Sequence, residues 1–164
     1  MITKKENEMI IYFCQGKQAD YLAKLFKYLY FYQLQTLLDT GNVFFKNCDF
    51  IAHTTCPVPL KIWNGIVDET FFSKYPNYEF EKSNFRNAMA LNNIRLFKIR
   101  STRKIDIEDF GPAEIQRAEH IKMRCQELLP STMHENLFFK KSLWKYTIED
   151  GKENTIINLE NILK

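Results

Sequence analysis

Apolar side chains recur at helical spacing through residues 19–39, the longest patterned segment of the chain. They form two stripes around the predicted cylinder: Leu22, Leu25, Phe26, Leu29 and Tyr32 in one, and Tyr28, Phe31, Leu34 and Leu38 in the other. A helix that is apolar on more than one face has to be surrounded by the core. Gly41 follows at the position where a left-handed residue ends a helix. The pattern therefore predicts a central, aromatic-rich helix that stops at Gly41.

Shorter segments predict further helices around this one. The apolar run at residues 9–14 predicts a first helix or its last turns, and Pro59 can open a helix that continues to Gly65. Residues 68–80 predict a short helix around Phe71. Pro112, with acid close behind it, marks the start of a helix that runs to Leu129. The predicted buried face of that helix is Ile115, Ala118, Ile121, Cys125 and Leu128.

The remaining segments predict strands and one further helix. Aromatic and β-branched residues predict one or two short strands within residues 43–52 and another strand at residues 94–100. Thr132 and Glu135 have the spacing of a capping box, with Glu135 as the N3 partner of Thr132, and so predict a helix start. Residues 156–163 predict a short strand or a helical turn.

Composition narrows the fold class. The 164 residues fit one domain, residues 1–164 with a core at about 9–157, because an apolar fraction of 45% is enough to build a core without disulfides. Gly and Pro number only five each, which argues against a turn-dense β-sandwich. The sequence therefore predicts a compact, predominantly helical α+β domain. A net charge of +3 is too small to indicate a nucleic-acid binder by itself.

The cysteine spacing indicates whether the protein binds a metal, and the first residues of the chain indicate where in the cell it is found. Cys48, His53 and Cys56 form a C-x4-H-x2-C cluster, but zinc needs four ligands and no second pair follows at suitable spacing. We therefore expect no metal and no cofactor. The chain opens with polar residues, and Lys24 and Lys27 interrupt the aromatic helix. These features predict no signal peptide, no membrane span and a cytoplasmic protein.

Catalysis is the first alternative that the sequence leaves open. Cys56 with His134 could form a nucleophile pair in a small hydrolase or transferase. Neither a helix start directly behind Cys56 nor an adjacent Lys or Arg is present to lower its pKa. We therefore predict no catalytic residue and no enzyme. His134 has an ordinary interpretation too, as a side chain that faces solvent or bonds a carbonyl.

A basic stretch gives the second alternative, a weak nucleic-acid-binding domain. Its six cations, interleaved with Phe97 and without an acid among them, are Arg86, Arg95, Lys98, Arg100, Arg103 and Lys104. The favoured interpretation is an edge strand guarded by charge, with Asp106, Glu108 and Asp109 as neutralising neighbours. Trp144 is also notable because Lys140, Lys141 and Lys145 surround it, as in an amphipathic anchor at a surface.

Several short motifs, in order along the chain, resemble a known family. The motifs are residues 27–31 (KYLYF), Thr40-Gly41, Phe50-Ile51-Ala52, Cys56-Pro57-Val58-Pro59, the helix start at residues 110–114, and residues 131–135 followed by Leu143-Trp144. Together they resemble the Panacea domain of SocA-like antitoxins over roughly residues 9–157. Three positions depart from the family pattern: Cys56 replaces a glycine, His53 a tryptophan, and Gln33 an acid. With Cys56 in place of the glycine, the turn either does not need a positive φ or tolerates the strain of one.

The resemblance implies a protein-binding module without catalytic residues. Its partner would be a cognate toxin protein, neutralised by direct binding or delivered to a protease when the module acts as an adaptor. Oligomeric state is left open by the sequence. The residues expected to hold the partner lie in the loop after the first strand and in the later motif: His53, Thr54, Cys56, Pro57, Pro59, His134, Glu135 and Trp144.

Overall fold

The central element of the protein is a helix, α2, over Leu22–Thr40; the computed structural model describes residues 1–82 and 89–164. Almost every side chain of α2 as far as Leu37 is buried. Gly41 ends the helix with φ 69°, and its N–H donates to the Leu37 carbonyl at 2.9 Å. The predicted central helix and its cap are confirmed. Its start lies at Leu22 because the two residues before it form strand β1.

A first helix, α1, covers Lys4–Cys14 and packs on α2. Thr3 Oγ1 accepts from the N–H of Glu6 at 3.1 Å, and the Glu6 carboxylate accepts from the N–H of Thr3 at 2.6 Å. This reciprocal cap places the helix start in the polar segment before the apolar run. The predicted first helix is confirmed and begins earlier than residue 9.

One sheet joins distant parts of the chain. Its strands are β1 (Asp20–Tyr21), β4 (Tyr78–Lys82) and β5 (Phe97–Ser101), arranged β1-β5-β4 with antiparallel pairing. The predicted strand at residues 94–100 therefore starts at Phe97, because Leu91–Leu96 is a 3₁₀ helix. The edge-strand interpretation was wrong, since β1 and β4 pair with both sides of β5.

Two cations of the basic stretch are paired with acids of other elements. Arg100 donates through Nε to Glu79 at 3.1 Å, and the Arg103 guanidinium pairs with the buried carboxylate of Glu8. Of the acids predicted to neutralise this stretch, Asp106 and Asp109 contact Lys4 at 3.5 and 3.2 Å, and the charge of Asp106 also helps to raise the pKa of Arg103. Arg86 lies outside the described residues. Two of the six cations are therefore paired with acids, and the nucleic-acid alternative stays a prediction.

A second, smaller sheet contains the loop in which partner-binding residues were predicted, residues 53–59. Strands β2 (Phe50–Ala52) and β3 (Pro57–Pro59) are antiparallel, and β2 is the only part of residues 43–52 that forms a strand. Residues 154–157 add to the free side of β2, with the N–H of Ile157 donating to the Phe50 carbonyl at 2.8 Å. Gln33 stands where the family pattern has an acid, and its amide can both accept and donate hydrogen bonds. It accepts from the N–H of Phe45 at 2.8 Å and donates to the Phe45 carbonyl.

The other helices complete a mainly helical α+β domain, and the predicted fold class is confirmed. They are α3 (Leu60–Val67), α4 (Thr70–Lys74), α5 (Pro112–Cys125) and α6 (Leu143–Glu149), with 3₁₀ turns at Pro130–Thr132, Glu135–Leu137 and Leu159–Leu163. Helix α5 ends at Cys125 rather than Leu129, and Ile115 and Leu128 are only half-buried. Among the residues that the structure describes, no helix is both long and apolar enough to cross a bilayer.

Candidate partner-binding site

The loop expected to meet a partner is mostly buried. His53, Cys56, Pro57 and Pro59 have no free surface, because β2 and β3 lie between α2 and α6. Thr54 is the exposed member of the predicted set in this loop. The expectation that the Cys-Pro-Val-Pro segment is a reachable turn was therefore wrong: it is strand β3, packed on α2. Cys56 does not adopt a positive φ, so the backbone at this position is not strained in the way that the second alternative required.

Trp144 connects this buried loop to the later motif. Its indole Nε1–H donates to the carbonyl of His53 at 2.9 Å, which joins two segments separated by 91 positions. The indole is half-buried in the second residue of α6. The loop and the later motif thus form one structural unit, with Trp144 at its surface and His53 below.

Glu135 is the buried acid of this unit. Its Oε1 accepts from the Tyr30 hydroxyl at 2.7 Å and from the N–H of Trp144 at 2.9 Å, and its Oε2 accepts from the N–H of Lys145 at 3.1 Å. Those two N–H groups belong to the first turn of α6, which has no partner within its own helix for them. Glu135 therefore caps α6 from outside the helix. Burial raises the pKa of its carboxyl, and these hydrogen bonds oppose that rise.

The predicted capping box was wrong because Glu135 points at α6. The Thr132 hydroxyl donates to the Leu129 carbonyl at 3.0 Å, and no side chain caps the turn that begins at Glu135. Residues 135–137 form only a 3₁₀ turn, and Glu135 is 2% exposed. The S/T-x-x-E spacing was a local coincidence, since the acid is used by a helix that begins at Leu143.

Lys27 lies beside this unit and was not among the residues predicted for the site. It is 2% exposed, and its Nζ donates to the carbonyls of Pro130 and Met133 at 2.5 and 3.1 Å. The same ammonium lies 4.6 Å from the centre of the Trp144 ring, a cation–π contact. A lysine within an otherwise apolar helix was the available signal.

The environment of Lys27 gives a pH-dependent prediction. Burial lowers its pKa from 10.5 to about 8, so between these values the unfolded chain binds a proton that the folded chain does not. Stability conferred by this group therefore rises with pH across that window. Relative to Lys27→Met, the native chain should gain about 2 kcal/mol of unfolding free energy between about pH 7 and about pH 10. Urea unfolding of both proteins across this range measures it, and a constant difference would contradict the prediction.

Two open clefts lie on either side of Trp144. The first, which we call the α6 cleft, has a volume of about 520 Å³ and includes Glu135, Lys145 and Glu149 in its lining. The second, the Arg95 cleft, has a volume of about 530 Å³ and includes Lys27 and Arg95. Both are lined by Thr54, His134 and Trp144. The structure thus gathers four of the eight predicted residues at one surface: Thr54, His134, Glu135 and Trp144.

The alternatives based on Cys56 lack the required geometry. Its thiol is fully buried, which raises its pKa to about 12, whereas His134 is exposed. A protonated thiol without solvent contact is not available as a nucleophile. Residues 1–82 and 89–164 also bring no three potential ligands among His, Cys, Asp and Glu together at a site for a metal ion.

Comparison of the chain with models of protein families, with curated proteins and with solved structures finds no match. Membership of the Panacea family therefore stays a prediction from the motifs. The surface around Trp144 has to be interpreted from its own chemistry.

Proposed function

We propose that this chain is a protein-binding module of the antitoxin type, which neutralises a cognate toxin by holding it at the surface around Trp144. The observation that carries the proposal is the meeting of Thr54, His134 and Trp144 on the rims of both clefts. These residues come from two motifs far apart in sequence, and both motifs belong to the resemblance to SocA-like antitoxins. The resemblance supports the class of partner, and the two clefts support the choice of this surface as its binding site.

The construction of the site favours a protein partner. Each cleft is open to solvent and mixes apolar with polar lining, as at the rim of a protein interface. Between them stands a half-buried tryptophan, the residue type most enriched among the dominant contacts of such interfaces. An anchor flanked by two depressions fits a partner that presents two projecting side chains.

Trp144 is also held in place before any partner arrives. Its indole is fixed by the His53 carbonyl, its backbone N–H by Glu135, and the face of its ring by the Lys27 ammonium. A side chain fixed in its binding orientation loses little conformational entropy on association. This arrangement supports binding without induced fit.

Co-expression with the product of the adjacent gene tests the proposal. We expect that product to be toxic alone, to be tolerated with this chain, and to co-purify with it. A toxin level that stays constant on co-expression indicates blocking, whereas a level that falls indicates delivery to a protease. An innocuous neighbour that forms no complex with the chain would refute the antitoxin assignment.

Replacing Trp144 with alanine should weaken the complex about 30-fold, a loss of about 2 kcal/mol typical of a dominant aromatic contact. Tyr146→Ala is the matched control, because Tyr146 is 61% exposed on the same helix and lines neither cleft around Trp144. Calorimetric titration of the adjacent gene product into each variant measures the effect. Equal affinities of the two variants would contradict the assignment of the site, provided that thermal unfolding shows Trp144→Ala to be folded.

A further inference from the structure

The charges lining the Arg95 cleft have one sign. Arg95 and Lys27 contribute positive charges, and Thr54, Thr55 and Ser131 contribute hydroxyls. No acidic side chain is among the described residues that line this cleft. Lys98 adds to the same field, since its ammonium lies 5.1 Å from the ring of Tyr21, another lining residue. A cleft of this kind attracts an anionic group.

Arg95 is the cation available to such a group. Its side chain is exposed, and among residues 1–82 and 89–164 it has no hydrogen-bond or ion-pair partner. Arg100 and Arg103, by contrast, are already paired with acids. Arg95 stands near the end of the Leu91–Leu96 turn, directly before the central strand β5, so its backbone is well anchored. A free guanidinium on a fixed backbone can bind a carboxylate through two parallel hydrogen bonds.

The rest of the cleft is apolar and exposed. Trp144 and Tyr21 form aromatic walls, and Leu129, which is 61% exposed, lies on the rim. The ligand should therefore carry an apolar side chain next to its negative group. On the far side of Trp144 the α6 cleft contains Glu135 and Glu149 together with Lys145, so acids accompany the cation there and the Arg95 cleft differs by having none among its described lining residues.

We propose that the Arg95 cleft binds an acidic segment of the protein partner, in which Asp or Glu carboxylates stand beside apolar side chains. This proposal rests on the proposed function, and it adds the chemistry by which the partner is recognised. A peptide can place a single acid at Arg95 and neutral residues beyond Trp144. A nucleic-acid strand cannot, because its phosphates are regularly spaced and need an extended positive track.

Fluorescence anisotropy with defined probes tests the proposal. The probes are a short fluorescein-labelled peptide in which Asp alternates with Leu and Phe, the same peptide with Asn for Asp, and a single-stranded oligonucleotide of equal charge. The Asp peptide should bind about tenfold tighter than the Asn peptide, which corresponds to one charge-assisted pair. Arg95→Glu should abolish this preference. Lys104→Glu is the matched control, since it makes the same charge change at an exposed residue that lines neither cleft.

Each other outcome overturns the inference. It falls if the Asp and Asn peptides bind equally, if Arg95→Glu and Lys104→Glu behave alike, or if the oligonucleotide binds more tightly than the Asp peptide. The adjacent gene product separates this failure from that of the proposed function. If it binds the native chain and Arg95→Glu equally well, the binding module stands and the acidic-segment inference fails. If it does not bind while the Asp preference is present, the toxin assignment fails and the cleft chemistry stands.

Discussion

Glu135→Ala is expected to lower the free energy of unfolding by about 3 kcal/mol, the cost of removing a buried, hydrogen-bonded carboxylate. The change leaves three donors without their acceptor: the hydroxyl of Tyr30 and the N–H groups of Trp144 and Lys145. Tyr30 is fully buried, so water cannot replace the lost acceptor there. Helix α6 loses its cap at the same time, and with it the position of Trp144.

Urea denaturation followed by tryptophan fluorescence measures this effect. The control is Glu149→Ala on α6, because Glu149 is exposed and its ion pair with Lys145, at 3.6 Å, is a surface contact. That control should change stability by less than about 0.5 kcal/mol. Glu135→Gln keeps one acceptor oxygen and should fall between the two variants. Equal stabilities of Glu135→Ala and Glu149→Ala would show that Glu135 does not cap α6.

Phe31→Ala is expected to cost about 4 kcal/mol, as for other fully buried aromatic residues truncated to alanine. Phe31 is in the middle of α2 and is completely buried. Its ring centre lies 5.1 Å from that of Phe138 and 6.1 Å from that of Phe139. The cavity would therefore open between α2 and the segment that follows Glu135.

The control for this change is on the same helix. Leu38→Ala removes an apolar side chain that is 41% exposed and should cost about 1 kcal/mol or less. The difference between the two variants, measured by chemical denaturation, isolates burial from helix propensity. A loss below about 2 kcal/mol for Phe31→Ala would mean that the packing around Phe138 and Phe139 rearranges to fill the space.

The two changes act on one arrangement from opposite sides. Phe31 packs against Phe138 in the segment that follows Glu135, and Glu135 connects this segment to α6 by a hydrogen bond. Both variants should therefore weaken partner binding as well as stability, since His134 and Trp144 depend on the position of this segment. Trp144→Ala differs from them because it should weaken binding with the fold intact.

Much of the fold could be predicted from the chain because it depends on local signals. The two apolar stripes of α2 predicted a helix surrounded by the core. Gly41 is the only glycine near the end of this helix, so it marked the place where the helix stops. Pro112 marked the start of α5 for a similar reason, since its fixed φ suits a first helical turn. Signals of this kind act over a few residues, so no knowledge of distant neighbours was required.

The candidate site could be predicted only in part. Trp144 and His134 were found because their motif stands out, and Thr54 was found with its loop. Cys56, Pro57 and Pro59 were expected to reach a partner, but strand β3 pairs with β2 and packs on α2, and all three residues are buried. Burial of this kind depends on which element covers a segment, and no local pattern records that.

The sequence by itself determined the mainly helical α+β class, the central helix and its end, because periodicity, proline and glycine constrain the backbone directly. Only the tertiary structure decided what the polar residues do. Lys27 could have faced solvent and Glu135 could have completed a capping box with Thr132. Contacts across roughly a hundred positions gave each a buried partner instead: Lys27 donates to the Pro130 and Met133 carbonyls, and Glu135 accepts from Tyr30. A buried polar group must find its partner wherever the fold provides one, and that partner's place is not encoded nearby in the chain.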